Sequence, residues 1–579
     1  MAFIVKKTIN KKDYYYLNEN KRVDGKVKTK TIAYLGKTKK KAEEKAKGII
    51  SNMTEHKKPE IRKEDLKEFP QQIREKILPM NSEEKYNKIL EIASRKSLFY
   101  PAAEIYPASP AGFWDFGPIG QSIRRKIIDF WRHELVQKEN ILEVHGSQIL
   151  PASVFEGSGH LKSFSDPIVQ CMKCKKFERA DKLISEVLKK EIPESLPTEK
   201  LDKLIQNNNI KCAKCGGKLG KVSKFNMMVE TMVGREGEFK TFLRPEACQS
   251  IFLNFLRMCK TMRLKIPQGI AQIGGAFRNE ISPRQSITRS IEFSQMEAEI
   301  FFDSEKINDI TNFSDVAKYK IRLLRLGKET IEEFSAEDLV KKKIVPGKLI
   351  AYYMARTQQV WNEMGISYDK LRFREVDKDE RAFYSLATFD FEVETCLGWL
   401  EIIANNYRTD YDLKGHMEHS RTNLECLTDD GKKIIPHIWE ISAGVDRTMF
   451  AILDNCLKEG KEGLYFSLNP KIASFNCAIL PLVNNGEILD LSKDIEKELK
   501  NSWFDVFFDP SGSIGRRYAR NDEIGTPFCI TIDGESVKNK DVTIRDRDTT
   551  RQIRVKISEL KKILRQLING EIEFEKAGK

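Results

Sequence analysis

The sequence predicts an α+β protein of several domains, with a small α/β domain at the C-terminal end and a basic extension at the N-terminal end. Three observations carry this. Ala271–Phe277 reads as a strand, and beyond a charged loop holding Pro283 the returning run Ser290–Phe302 alternates apolar and polar residues, the pattern of an antiparallel hairpin. Beyond Asn469–Pro470, strand-like and helix-like runs alternate, as in a compact α/β unit. In residues 1–60, 17 basic residues face 7 acidic ones, so much of the net charge of +14 sits in a short appendage.

At 579 residues the chain is long enough for a large core. With 40% hydrophobic and 32% charged residues it reads as soluble and globular. No apolar run reaches bilayer length and the N-terminus lacks the apolar core of a secretory signal. A cytoplasmic location is therefore expected, with no membrane partner. The positive charge favours a polyanionic partner. Eleven cysteines is an odd number, and all but four stand apart from any pair, which argues for a reducing compartment over a disulfide framework.

Residues 1–60 read as a strand, a hairpin through Asp24–Gly25, another strand and a short helix. Tyr14, Tyr15, Tyr16 and Tyr34 lie among lysines, a mixture that stacks bases and neutralises phosphate, so RNA contact is expected here. A solubilising extension with core tyrosines fits the same residues. A larger domain is expected over 61–470, entered through a polar stretch broken by Pro59, Pro70 and Pro79. Gly112–Gly120 leads into a helix with Ile123, Ile127, Phe130, Trp131 and Leu135 on one face. The next strand, NILEVHGSQIL, stops at Pro151.

Cys171-Met-Lys-Cys174 and Cys212-Ala-Lys-Cys215 bracket a mostly helical stretch in an insertion over 171–230, and the second pair runs into Gly216–Gly217. Four thiolates so spaced match a closed tetrahedral Zn²⁺ site, whereas a redox CxxC comes singly at the start of a helix. Leu243-Arg244-Pro245-Glu246 enters a helix with Ile251, Phe252, Phe255 and Leu256 on its apolar face. A charged, mainly helical insertion is expected over 303–381. The strands FDFEVETCLGWLEIIANNYRTDYDL then place Glu401 beside Ile402 and carry Arg408. Pro436–Ser442 runs into a helix with Arg447 in its first turn, where an anion is favoured. The α/β domain is expected over 471–579.

The hairpin carries the chemistry. Arg278 and Glu280 sit two apart, Arg284 and Arg289 follow in the loop, and Phe293 and Glu297 share a strand face. A guanidinium fork fits phosphate, an aromatic face stacks a base, and carboxylates grip an ammonium group. A solvated charged tip fits the same residues. FRNEISPR followed by R-x-x-E-F-x-x-x-E, however, resembles the second signature of the class II aminoacyl-tRNA synthetases in its glycyl form. The helix and strand ending at Pro151 resemble the first signature, and the strand-to-helix Arg447 resembles the third, with Asp446 a departure. The cysteine insertion resembles the archaeal branch. SGSIGRRYARNDEIG and RDRD resemble the anticodon-binding domain of the glycyl, histidyl, prolyl and threonyl enzymes.

The resemblance spans residues 86–567 and implies an antiparallel catalytic sheet flanked by helices, a homodimer, and ATP-dependent joining of glycine to tRNA(Gly). It further implies that Arg278, Asn279, Glu280, Arg289, Ser290, Phe293, Glu401, Ile402 and Arg447 form the ATP site, with Arg278, Glu280 and Arg447 catalytic. Glu401 would hold Mg²⁺. Glu246, Glu297, Arg408, Glu440, Ile441 and Ser442 would form the glycine pocket. A related synthetase would need a larger, less acidic pocket. A non-catalytic nucleic-acid-binding relative would have no need to keep Arg278, Glu280 and Arg447 together.

Overall fold

The structure, a computed structural model, describes residues 2–9, 12–23, 26–36 and 80–578, apart from 108, 191, 194, 195, 282, 284, 429, 461 and 462. The expected turn at Asp24–Gly25, the helix in the forties, most of the proline-broken stretch and Arg284 lie outside the described residues. The chain divides into two compact units, Met1–Asn81 and Ser82–Lys579. The boundary expected at residue 60 lies within the first unit.

In the first unit β1 (Ala2–Ile9), β2 (Lys12–Val23) and β3 (Lys26–Gly36) form an antiparallel sheet with β2 central. Its register sets Tyr15 opposite Lys6, and Tyr16 opposite Val5 and Tyr34.

The second unit is built on a nine-stranded sheet. Its strands are β4 (Leu142–Val144), β5 (Gln268–Phe277), β6 (Glu292–Phe302), β7 (Lys320–Leu324), β8 (Glu332–Ser335), β9 (Leu371–Glu375), β10 (Ala387–Thr395), β11 (Gly398–Thr409) and β12 (His437–Gly444). They lie in the order β8-β7-β9-β10-β11-β12-β6-β5-β4. All pairings are antiparallel except β7 with β9 and β4 with β5, near the two ends. The expected antiparallel sheet is thus present at its centre. The segment 303–381 is mixed rather than mainly helical, because β7, β8 and β9 extend this sheet. Ile321, Leu323, Leu371 and Phe373 alternate with charged residues and bury themselves in the main core, a strand pattern hidden inside a highly charged sequence.

The two faces of the sheet differ in chemistry. Met296, Ala298, Ile300 and Phe302 of β6 and Trp439, Ile441 and Ala443 of β12 join the main apolar core. That core also holds residues of α1 (Pro118–Trp131), α3 (Lys348–Glu363) and α5 (Val445–Cys456). The opposite face of β6 carries Gln295, Glu297 and Glu299, all buried. Here α2 (Gln249–Met262) packs Ile251, Phe252 and Phe255 against Ile270 and Phe301, with Leu413 of α4 (Tyr411–Ser420). Phe255 stacks on Phe301 at 4.0 Å between centroids, a contact worth about 1 kcal/mol beyond burial.

The run expected as one strand before Pro151 is split between β4 and a short strand, Ile149–Pro151, in another sheet. Gly146 marks the break: its amide donates to Gln272 and its carbonyl accepts from Arg244. A Cβ there would lie 2.2 Å from Ser250, so only glycine fits.

The C-terminal domain is a mixed sheet of β13 (Cys477–Pro481), β14 (Val506–Phe508), β15 (Phe528–Ile532), β16 (Asp541–Asp546) and β17 (Gln552–Lys556), ordered β14-β13-β15-β16-β17. The run GSIGRRYARNDEIG holds a helix, Ile514–Glu523, whose Glu523 pairs with Arg95 and Lys96 of the part built on the nine-stranded sheet. Arg547 donates to the carbonyl of Leu468, and Lys126 to that of Ala473, so buried polar contacts tie the domain to the core.

Candidate active site

A polar pocket is assembled on the sheet face opposite the main core. Register sets Gln272 beside Glu297, Glu297 beside Ser442, Glu299 beside Glu440, and Glu440 beside Asn406. Period-two alternation then aims these side chains at one side, where α2 and the loop before it deliver Glu246, Cys248 and Gln249.

Arg408 is the cation at the centre, fully buried. Its Nε and one terminal nitrogen donate to Asp412 at 2.7 and 2.8 Å, and the other terminal nitrogen donates to Glu440 at 2.8 Å. Glu246 Oε1 lies 3.6 Å from the guanidinium, which also stacks over the ring of Tyr384 at 3.7 Å. Glu246 is held at 2.7 Å by His160 Nε2, whose Nδ1 meets Ser158 Oγ at 2.8 Å, while Tyr384 donates to the other carboxylate oxygen. Asn406 donates to Glu440 over 2.6 Å. Ser442 Oγ donates to Glu297 Oε1 over 2.7 Å and accepts from Gln295.

The carboxyls divide by environment. Burial alone would raise Glu246, but His160 and Arg408 hold it well below the ordinary range. Burial pushes Glu297 up to about 8, with Glu246 and Glu440 adding like-charge repulsion. Burial also lifts Glu440 to about 7 against the pull of Arg408. Two of the three carboxyls thus titrate near neutral pH, and a further cation placed beside them would favour their ionised forms.

A second group of residues lies along the hairpin. Arg278 Nε donates to the carbonyl of Pro245 at 3.1 Å, and its guanidinium lies 5.3 Å from the Phe164 ring and 5.4 Å from the Phe293 ring. The amide of Asn279 donates to Met227, which pins the loop. Arg289 pairs with Glu280 at 2.8 Å, and Ser290 is buried nearby in sequence. Arg447 donates to the carbonyls of Thr288 and Glu401, and lies 3.4 Å from the Glu401 carboxylate, which remains partly exposed. Asp446 is more than a departure from the usual motif. It is buried, accepts from Arg124 and from the amide of Ser294, and so ties α5 to α1 and to β6.

The structure places the side chains of two expected site residues in the main core. Ile441 is fully buried in the main apolar core, on the strand face opposite Glu440 and Ser442, because neighbours along a strand point to opposite sides. Only its backbone can face the pocket. Ile402 is also buried in that core.

The four insertion cysteines converge. Cys171 and Cys215 sulfurs are 3.5 Å apart, Cys174 and Cys212 sulfurs 3.7 Å, and all four lie within 4.8 Å of one another. None of the chain's cysteines forms a disulfide. A tetrahedron with Zn–S bonds of about 2.3 Å has edges of about 3.8 Å, so this donor set fits zinc. The backbone amide of Cys174 points at Cys171 sulfur and draws its thiol down to about 6, favouring the thiolate that a metal requires.

Comparison with known proteins adds the lineage. Residues 227–456 match the class II tRNA synthetase core domain of the G, H, P, S and T enzymes, and residues 476–567 match the anticodon binding domain. A glycine–tRNA ligase of Methanothrix thermoacetophila is 34% identical over 575 residues, spanning 86% of this chain and 99% of the relative. That of Thermococcus gammatolerans is 37% identical over 569 residues, spanning 84% and 99%. The chain belongs to the glycine–tRNA ligase family. Residues 4–65 of this family member match a different model, the N-terminal domain of IS1634 family transposases. Among its described residues no helix is long and apolar enough to cross a membrane.

Within this glycine–tRNA ligase family member, Glu246, Glu297, Arg408, Glu440 and Ser442 lie together in one buried cluster. Sequence reasoning missed His160, Tyr384, Gln249, Asn406, Asp412 and Glu299. Asp412, four residues after Arg408, Asn406, two before it, Glu299, two after Glu297, and Gln249, three after Glu246, carried local signals. His160 and Tyr384 approach from segments far apart in the chain, so no spacing announced them. Arg244 was also passed over. It is fully buried, donates to the carbonyl of Gly275, and lies where a Cβ on Gly274 would meet it at 2.4 Å, which accounts for glycine at 274.

Proposed function

We propose that this chain activates glycine with ATP and transfers it to the 3′ end of tRNA(Gly). One observation carries the reading of the amino-acid site: Glu246, Glu297, Glu440 and Ser442 are brought together in a buried cluster, where burial lifts two of the carboxyls to about 7 and about 8. An α-ammonium would be held by these carboxyls, and carboxylates drawn around the α-carbon would exclude a side chain.

Glycine's carboxylate is ionised at neutral pH, so its attack on the α-phosphorus needs no general base. The new P–O bond forms as the bond to diphosphate breaks. Catalysis then rests on positioning and on charge neutralisation. Arg278 is assigned to the α-phosphate, Arg289 and Arg447 to the outer phosphates, and Phe293 to stacking adenine, with Arg447 on its other face. Glu280 orients Arg289 through their ion pair. Asn279, Ser290 and the backbone at Ile402 border the ATP, and that at Ile441 borders the glycine. Glu401, partly exposed beside Arg447, is assigned to Mg²⁺, which takes carboxylate and phosphate oxygens. In the second half-reaction a terminal ribose hydroxyl attacks the acyl carbon and AMP leaves.

Cys171, Cys174, Cys212 and Cys215 are assigned to one structural Zn²⁺. The enzyme is read as a cytoplasmic homodimer, with the basic first unit touching tRNA. Pyrophosphate exchange measured across several amino acids tests the core of this reading. Exchange with glycine alone supports it; exchange with a larger amino acid and none with glycine overturns it.

A further inference from the structure

Cys248 lies at the floor of the pocket, completely buried, and nothing in the proposed reaction uses it. Its sulfur is shared by two sets of ligand atoms, each lying within 4.8 Å of one another: Glu246, Cys248 and Glu440 in one, Cys248, Glu297 and Glu299 in the other. A second observation concerns Glu299. It is fully buried, yet neither of its carboxylate oxygens has a hydrogen-bond partner among the described residues, and one oxygen of Glu297 is likewise unpartnered. Buried carboxyl oxygens ordinarily find donors, and these do not. One carboxylate oxygen of each glutamate lies within 4.8 Å of the Cys248 sulfur, which packs in one apolar cluster with Ile251, Phe252 and Phe301.

We propose that Cys248, Glu297 and Glu299 form a binding site for a thiophilic divalent cation, Zn²⁺ in the first instance, whose occupation blocks the amino-acid pocket. One sulfur and two carboxylate oxygens are a donor set for zinc, and a poor one for the hard cations Mg²⁺ and Ca²⁺. As the Zn–S bond forms, the thiol proton leaves to solvent, and any carboxyl proton follows it. The bound cation then neutralises Glu297, the carboxylate assigned above to the glycine ammonium. Zinc and glycine therefore exclude each other. This inhibition rests on the proposed reading of the pocket, whereas the metal site rests on the residues alone.

The test uses the full chain with its four-cysteine zinc already loaded. Equilibrium dialysis against ZnCl₂, without ATP or glycine, counts metal in the wild type and in Cys248→Ala. The wild type takes up one more zinc per chain than the variant, and a Cys248→Ser protein, which preserves size, behaves like the alanine variant or binds more weakly. Equal uptake by all three overturns the site. Exchange assays then read the consequence. Zinc inhibits the wild type, glycine relieves it, Mg²⁺ does not reproduce it, and Cys248→Ala needs at least about tenfold more zinc for the same inhibition. Extra zinc bound with glycine activation unaffected overturns the blocking role. Differential uptake by a protein that activates no glycine at all keeps the metal site and overturns the pocket reading instead.

Discussion

Ser442 Oγ donates to one oxygen of Glu297 over 2.7 Å, while the other oxygen of the same carboxyl has no partner among the described residues. One hydroxyl cannot compensate for full burial, so the carboxyl sits at about 8, mainly through desolvation and then through Glu246 and Glu440. A group in this state is largely protonated at neutral pH and ionises when an ammonium arrives. The KM for glycine is therefore expected to fall as pH rises towards 8, by up to about tenfold per unit below that value, and then to level off. Glu297→Gln raises KM and flattens the profile. Steady-state exchange kinetics between pH 6 and 9 measure both, and an unchanged slope in the variant removes Glu297 from the ammonium site. The same shift acts on the free protein's stability. A carboxyl raised above its ordinary 4.5 contributes stability at low pH that is lost as pH climbs towards 8, so thermal unfolding without glycine moves down over that window.

Arg278 is held by the carbonyl of Pro245 and lies close to two aromatic rings, so its position does not depend on an ion pair. Arg278→Ala is expected to lower adenylate formation by roughly 10²–10³-fold with little change in the unfolding temperature, since one such donor acts mainly in the transition state. Single-turnover measurement of the adenylate tests this. A loss below tenfold removes Arg278 from the α-phosphate.

The cysteine quartet belongs to a small cluster of its own, with Ala180, Leu183, Ile184, Leu201 and Ile205. Removing its metal should unfold that insertion rather than the catalytic sheet. Substituting Cys171 and Cys212 together is expected to remove about one zinc per chain and to reduce tRNA charging more than exchange. Metal analysis finding no zinc in the wild type, with four titratable thiols, refutes the assignment.

Residues 1–60 are expected to touch tRNA through phosphate neutralisation and stacking. Their deletion should raise the KM for tRNA and flatten its salt dependence, by about one unit of slope for every phosphate no longer neutralised. Exchange without tRNA should be unchanged. Full-length and truncated proteins with identical KM and slope show that the extension does not engage this substrate.

The hairpin around Arg278, the cysteine spacing and the Arg447 helix were legible in the sequence because each is local: alternation, ligand spacing and a helix terminus all act within a few residues. The strands of 303–381 were not legible, since their alternation is short and surrounded by charge, and only their pairing with one another and, through β9, with β10 reveals them. Nor could spacing show that Asp446 serves Arg124, or that His160 and Tyr384 close on Glu246. Those partners come from distant segments joined only when the sheet forms. Residue types and their spacing settle which charged groups are present and which strand face each occupies. Which carboxyls meet a cation, and which meet each other, is settled by the packing of the whole chain. Burial multiplies the energy of those encounters, and no residue is buried until the sheet and its helices have closed around it.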